Sequence, residues 1–234
     1  MKFIISEKVK EKFPNLRIGY LVADKIENTG VSEILNERNQ DLEEALRNQF
    51  DLATLGDVPL VSLWREVYLE NGSKPNKFLP TVEALLKRVL KGNSIPIINK
   101  AVNAYLIAEL KTLLPIGGYN IETLEGDILL DFSEGHEMFS GFGSEDELTF
   151  AGEIVYSDAK SVLTRRWNYR DAVRTQITEN STKIILMTEA PNAQVSNQLI
   201  TETLEEMKKQ IFDFCGGEIQ TGILDVSKIS EIEF

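Results

Sequence analysis

Four arginines, Arg165, Arg166, Arg170 and Arg174, fall within the stretch TRRWNYRDAVRT, and Trp167, Asn168 and Tyr169 lie among them. A guanidinium donates two parallel hydrogen bonds from a rigid fork, which suits a carboxylate or a phosphate. An extended chain here places Leu163, Arg165, Trp167 and Tyr169 on one face and Thr164, Arg166, Asn168 and Arg170 on the other. The second face is then polar and cationic. Trp167 and Tyr169 either anchor the first face in the core or stack on an arginine. Two uses fit equally well: an anion-binding wall, or an arginine ladder that neutralises an acidic surface. The chain as a whole is acidic, with a formal net charge of -12. That argues against broad nucleic-acid binding, DNA included, because such binding needs basic surface to displace counterions. Contact with a few phosphates stays open if the basic groups are concentrated.

Other chemistries lack parts. His136 is the single histidine and Cys215 the single cysteine, so no zinc site of His and Cys ligands can be assembled. His136 falls in Glu134-Gly135-His136-Glu137, a hairpin turn by its composition. A Ser-His-Asp triad would need this one imidazole, and no nucleophile elbow accompanies it. The carboxylates that magnesium would need are plentiful but scattered. No G-x-x-x-x-G-K-[ST] occurs, and GFGSEDEL at 141–148 follows its glycines with acids that would repel phosphate. No metal or cofactor is expected. In LLPIGGYNIETLEGD (113–127), Gly117 and Gly118 let the backbone approach a ligand closely or adopt positive φ. The same pair also serves as a plain helix-to-strand turn.

Positioning these groups falls to elements legible in the spacing. Residues 16–23 read as a strand. A helix over about 31–49 buries Val31, Ile34, Leu35, Leu42, Ala45 and Leu46. A second starts near Pro59 and stops at Asn71-Gly72, and a third runs from Pro80 to Gly92. A fourth follows Pro96, with Ile97, Ile98, Ala101, Val102, Tyr105, Leu106 and Leu110 inward, and ends before Pro115. Short β-branched runs then predict strands near 126–132, 136–139, 147–157, 161–168 and 182–190. A helix over about 194–214, capped by Gly216-Gly217, precedes a strand at 218–226, and the last eight residues read as loose. Helices first, strands next, then a helix and a strand make an α+β pattern in a single domain. The lone cysteine, the lack of an apolar leader in residues 1–13 and the lack of any run near the roughly 18 apolar residues of a membrane span indicate a soluble, cytoplasmic chain with no membrane partner.

The blocks IPIINKAVNAYLIAELKTLLPIGGYNIETLEGDI (95–128) and AGEIVYSDAKSVLTRRWNYRDAVRTQITENSTKIILMTEA (151–190) carry a resemblance. Their order is a helix with Asn103, the Pro-x-Gly-Gly-Tyr turn, Leu-Glu-Gly-Asp, Val-Tyr-x-Asp, Arg-Arg-Trp-Asn-Tyr-Arg, Thr-x-Ile-Thr and a closing Ile-Ile-Leu-Met-Thr-Glu strand. In this order the chain resembles the tRNA-editing (B-three/B-four) domain of the bacterial phenylalanyl-tRNA synthetase beta subunit, in its free-standing form. The likeness covers roughly residues 60–225, with the strand and helix at about 16–50 bracing that core. The family's turn histidine is replaced here by Gly117. Its Gly-Gly-Glu run corresponds to Asp171-Ala172-Val173, without the acid at the last place.

The resemblance implies mixed sheet layers packed with helices around a pocket. It also implies a trans-editing deacylase that releases a wrong amino acid from tRNA. Its partner would be an aminoacyl-tRNA acceptor end or a free amino acid. Arg166, Asn168 and Arg170 would hold the substrate carbonyl or terminal phosphates. Asn103, Gly117, Gly118, Tyr119 and Trp167 would line the aminoacyl pocket. Thr175 would orient a water beside Asn168, and Glu189 would fix the arginines. Asp158 reads as a turn residue. Aminoacyl esters are activated, so a positioned water and one or two oriented donors suffice. The alternatives are a non-catalytic module for an amino acid or small anion, and a tRNA-binding quality-control or interaction protein.

Overall fold

The computed structural model describes residues 1–143 and 145–234. The chain begins with strand β1 (Lys2–Ile5), helix α1 (Glu7–Lys12) and β2 (Arg17–Asp24). Four helices follow: α2 (Glu33–Gln49), α3 (Pro59–Glu70), α4 (Thr81–Leu90) and α5 (Lys100–Thr112). The β-rich middle holds β3 (Ile116–Asn120), β4 (Ile128–Phe132), β5 (Met138–Phe139), β6 (Glu147–Leu148), β7 (Ile154–Ser157), β8 (Val162–Arg165), β9 (Arg170–Asp171) and β10 (Lys183–Ala190). Helix α6 (Asn197–Cys215), β11 (Glu218–Asp225) and β12 (Glu231–Glu233) come last. The architecture is α+β.

Capping side chains set the helix starts. Ser32, Asn99 and Ser196 each accept a hydrogen bond from the backbone N–H three residues on, and Pro59 occupies the first turn of α3. The Asn99 cap moves the start of α5 beyond Ile97 and Ile98, which are exposed and not inward as the spacing predicts. Val31 is exposed for the same reason, lying before the Ser32 cap of α2, and Ile34, in the first turn of α2, is exposed as well.

Two sheets carry the fold. The larger has the order β12-β1-β4-β7-β8-β9, with β1 parallel to β4 and the other pairs antiparallel. The smaller is antiparallel, in the order β11-β2-β10-β3. Strand β2 is therefore central, hydrogen-bonded on both edges, and does more than brace a core formed elsewhere. The tail expected to be loose supplies β12, which pairs with β1. The run 147–157 is two strands, β6 and β7, separated by a turn at Ala151-Gly152. Helix α6 lies on the smaller sheet against β2 and packs on α5. One apolar cluster, including Phe3, Leu21, Trp64, Leu106, Leu186 and Met207, runs through both sheets and the helices.

Strand β8 stops at Arg165, where the extended reading of 163–169 fails. Arg166 and Trp167 have φ of 50° and 71°, in the left-handed region that a side chain enters at a cost. The chain turns back, and Arg170 pairs with Arg165 across the β8–β9 hairpin. The turn is held by the Trp167 N–H on the Ile154 carbonyl at 2.8 Å and the Tyr169 N–H on the Arg165 carbonyl at 3.1 Å.

Candidate functional site

The turn disperses the arginines. Arg165 is buried, with Nε and Nη2 on the two Glu153 oxygens at 2.8 and 2.7 Å and Nη1 on Glu147 at 2.8 Å. Arg166 points elsewhere: its guanidinium lies 3.6 Å from the centre of the Phe78 ring and donates to the Ser73 hydroxyl. Arg174 donates from Nη2 to both Asp158 oxygens at 2.7 Å and from Nη1 to the Thr123 carbonyl. Asp158 accepts from the backbone of Lys160 and Ser161, as a turn residue does. A continuous anion-binding wall does not form. Of the four guanidiniums, Arg170 alone lines the cavity between the sheets.

That cavity has two compartments. The inner one, of about 150 Å³, is walled by Tyr119 on β3, Tyr156 on β7, Thr164 on β8, Glu189 on β10, and Tyr105 and Glu109 on α5. A cavity of this size accommodates a benzene-sized group. The outer one, of about 400 Å³, is more open and mostly apolar, with Ile98, Val102, Phe142 and Ile177 in its walls. Tyr105, Arg170 and Asp171 line both and so stand where the two adjoin.

Two relays of hydroxyl and amide groups converge on carboxyls in the inner compartment. The Thr164 hydroxyl donates to Asp171 Oδ1 at 2.5 Å, which leaves its oxygen to accept from the Tyr119 phenol at 2.6 Å. The Tyr68 phenol donates to Asn168 Oδ1 at 2.8 Å, and Asn168 Nδ2 donates to Glu189 Oε2 at 3.1 Å. The Tyr156 phenol completes the set on Glu189 Oε1 at 2.8 Å. Glu189 thus answers to a phenol and an amide, and not to the arginines expected of it. Burial pushes the Glu189 carboxyl up to about 8, with the hydrogen bonds from Asn168 and Tyr156 opposing the rise. Burial likewise pushes Asp171 up to about 6 against the Thr164 hydrogen bond.

The other residues singled out from the sequence divide. Gly117, Tyr119, Trp167 and Asn168 line the inner compartment, and Gly118 lines the outer one. Asn103 lies outside both compartments. Its side chain accepts from the Ile98 N–H at 2.8 Å and donates to the Pro96 carbonyl at 2.6 Å, which ties down the loop before α5. Thr175 is fully buried outside both, and its hydroxyl has no hydrogen-bond partner. Sequence reasoning passed over Glu109, Tyr105, Asp171 and Tyr156. The one available signal was Glu109 itself, a lone acid inside the apolar stripe of α5.

Gly117 and Gly118, read from the sequence as a turn, lie in strand β3 paired with β10, and they differ in what they allow. A Cβ on Gly117 would meet nothing within 4 Å, whereas one on Gly118 would lie 2.3 Å from the Ile185 carbonyl oxygen. Gly118→Ala is therefore expected to exceed the roughly 1–3 kcal/mol of ordinary overpacking. Gly117→Ala should stay within about 0.5 kcal/mol of the parent. Urea denaturation of the two variants checks the contrast, and equal losses would contradict it.

The α+β fold and its cavity between two sheets define a mixed-sheet domain with an internal cavity. The chain belongs to the B3/4 domain family, whose model matches residues 63–211, more than half of the sequence. No curated protein matches it. Among solved structures it is similar to an N-terminal fragment of the phenylalanyl-tRNA synthetase beta subunit from Pyrococcus horikoshii. The identity is 11% and the TM-score 0.43, over 92% of this chain and 49% of that one. The chain thus spans about half the length of that fragment. Among the described residues, no helix is long and apolar enough to cross a membrane.

Proposed function

We propose that this chain is a trans-acting aminoacyl-tRNA deacylase that binds the aminoacyl group in the inner compartment. The observation that carries the reading is Asp171 and Arg170 standing together where a smaller cavity of mixed polarity adjoins a larger, mostly apolar one. An aminoacyl ester has a matching division: an ammonium-bearing amino acid on one side of the ester and a nucleoside on the other. The outer compartment, with the exposed Phe142 ring in its wall, offers a face on which a terminal base can stack.

Where the two adjoin, Asp171 serves as general base. With its carboxyl raised to about 6, it is ionised at neutral pH and still basic enough to take a proton from water. The water oxygen bonds to the ester carbonyl carbon, and Arg170 stabilises the developing oxyanion. As the ester C–O bond breaks, the proton passes from Asp171 to the departing ribose oxygen. Asn168, expected from the sequence to act beside Thr175, serves in this reading as the amide that orients Glu189. The family relationship and an inner cavity sized for the end of a side chain support this reading. A second reading, a non-catalytic amino-acid binder, uses the same groups, with Arg170 on the free carboxylate.

A deacylation screen separates them. The protein is mixed with tRNAs charged with each standard amino acid and with mischarged pairs, beside an Asp171→Asn variant. Release of an amino acid is expected, with a rate that climbs as pH passes about 6. The variant should be slower by about 10²–10⁴-fold. No release above the spontaneous rate from any of these tRNAs leaves only the binder.

A further inference from the structure

Glu109 has no part in that scheme. It is fully buried on α5, and neither carboxyl oxygen has a well-formed hydrogen bond. The Thr81 hydroxyl and the Ile116 N–H are near enough to ease its ionisation, but burial dominates and holds the carboxyl protonated. A buried, unpartnered carboxyl is costly, and its neighbours on α5, Leu106, Ala108 and Leu110, are buried and apolar and offer it no side-chain hydrogen bond.

The groups that share the inner compartment with Glu109 are Glu189 on β10, Asp171 and Arg170 on β9, and the phenols of Tyr105, Tyr119 and Tyr156. Among the described residues, no cation other than Arg170 lines it. Nor do its acids cluster closely enough to share a metal ion. Near neutral pH Asp171 is ionised and balances Arg170, while Glu109 and Glu189 hold protons that bound cations can draw off, so the lining can come to carry up to two net negative charges. An aminoacyl ester with a neutral side chain brings one positive charge, its α-ammonium. A basic side chain brings the second.

We propose that the inner compartment selects an amino acid whose side chain ends in a cation, an ammonium or guanidinium that pairs with Glu109. This rests on the reading of the site as an amino-acid or aminoacyl site. A guanidinium fits the surroundings best, because its fork matches a carboxylate and its planar faces stack on the aromatic walls. A neutral side chain leaves Glu109 without a partner. A cation draws the proton off Glu109, so binding releases a proton and affinity rises with pH.

The test uses the intact protein and calorimetry with L-arginine methyl ester, L-lysine methyl ester, L-citrulline methyl ester and L-tyrosine methyl ester. Citrulline keeps the length and shape of arginine without the charge. The arginine ester is expected to bind at least about tenfold more tightly than the citrulline ester, the ratio of one charge-assisted pair. Its heat should vary between two buffers of different protonation enthalpy, because a proton is released. Glu109→Gln should bring arginine and citrulline esters within about twofold of each other. If that variant does not fold, the buffer dependence of the parent protein still decides. Citrulline or tyrosine ester binding as tightly as the arginine ester, no binding of either cationic ester, or binding without proton release overturns the inference. The deacylase reading fails separately. Cation-selective binding with no release from any charged tRNA removes that reading and leaves this one. Release of a neutral or aromatic amino acid alone does the reverse.

Discussion

Replacing Arg165 with methionine is expected to destabilise the protein by about 3–5 kcal/mol, the loss typical of breaking one side of a buried ion pair. Glu153, its partner, is fully buried. Its two oxygens accept from Arg165 Nε and Nη2 and from the backbone N–H groups of Arg166 and Phe150. Without the guanidinium, two backbone donors remain to hold a carboxylate away from water. The surface pairs of this chain, such as Lys2 with Glu231, sit in solvent, where screening and side-chain entropy leave little net stabilisation. The Arg165 loss should therefore stand well above theirs. Adding Glu153→Leu to the Arg165 variant removes the stranded charge and should restore part of the stability. Urea denaturation of the two single variants and the double variant measures this. A double variant as unstable as the sum of the singles would show that the two side chains act independently.

Glu189 sets the second large effect, through pH. Its carboxyl keeps a proton up to about 8 in the folded chain, against an ordinary value of 4.5. Between those values the native state holds more protons than the unfolded state, so stability falls as pH rises. It is fully present below the unfolded value and lost by the folded one. Over the whole window the loss is on the order of 4–5 kcal/mol. Glu189→Gln removes this dependence. Glutamine can keep the Tyr156 hydrogen bond on its carbonyl, and a turned Asn168 amide can accept from its NH₂. The variant should match or slightly trail the parent near about pH 5 and exceed it by several kcal/mol near about pH 9. Denaturation curves across that range report the gap. A gap independent of pH would mean that Glu189 folds without a bound proton.

What the sequence discloses and what it conceals follow from how each feature is encoded. Helices α3, α4 and α6 carry their own punctuation in Pro59, Pro80, Ser196 and Gly216, and all are found near their expected places. Strands β2, β10 and β11 announce themselves by β-branched and apolar runs. The site is less legible. Reading 163–169 as continuous strand places Arg166 beside Asn168 on one face. The positive φ of Arg166 and Trp167, which neither residue type advertises, instead swings Arg166 outward and brings Trp167 and Asn168 to the cavity wall. Asn103 and Thr175 look available for chemistry by type. Yet one is occupied with the loop before α5, and the other lies buried away from the cavity. Asp171 and Glu109 escape notice for opposite reasons. The first sits where an acid was sought two positions later, and the second is hidden inside an apolar stripe.

The central place of β2 has a consequence for the order in which the chain can assemble. Arg17 is paired with Ala190 on one side and with Asp225 on the other, so both edges of this early strand wait for partners from the last quarter of the sequence. Closing loops of that length loses chain entropy before any contact repays it, which slows folding. During synthesis β2 emerges with its backbone donors and acceptors unanswered while the helices behind it can already coil. The smaller sheet, and with it the wall that carries Glu189, becomes complete only once β11 has emerged.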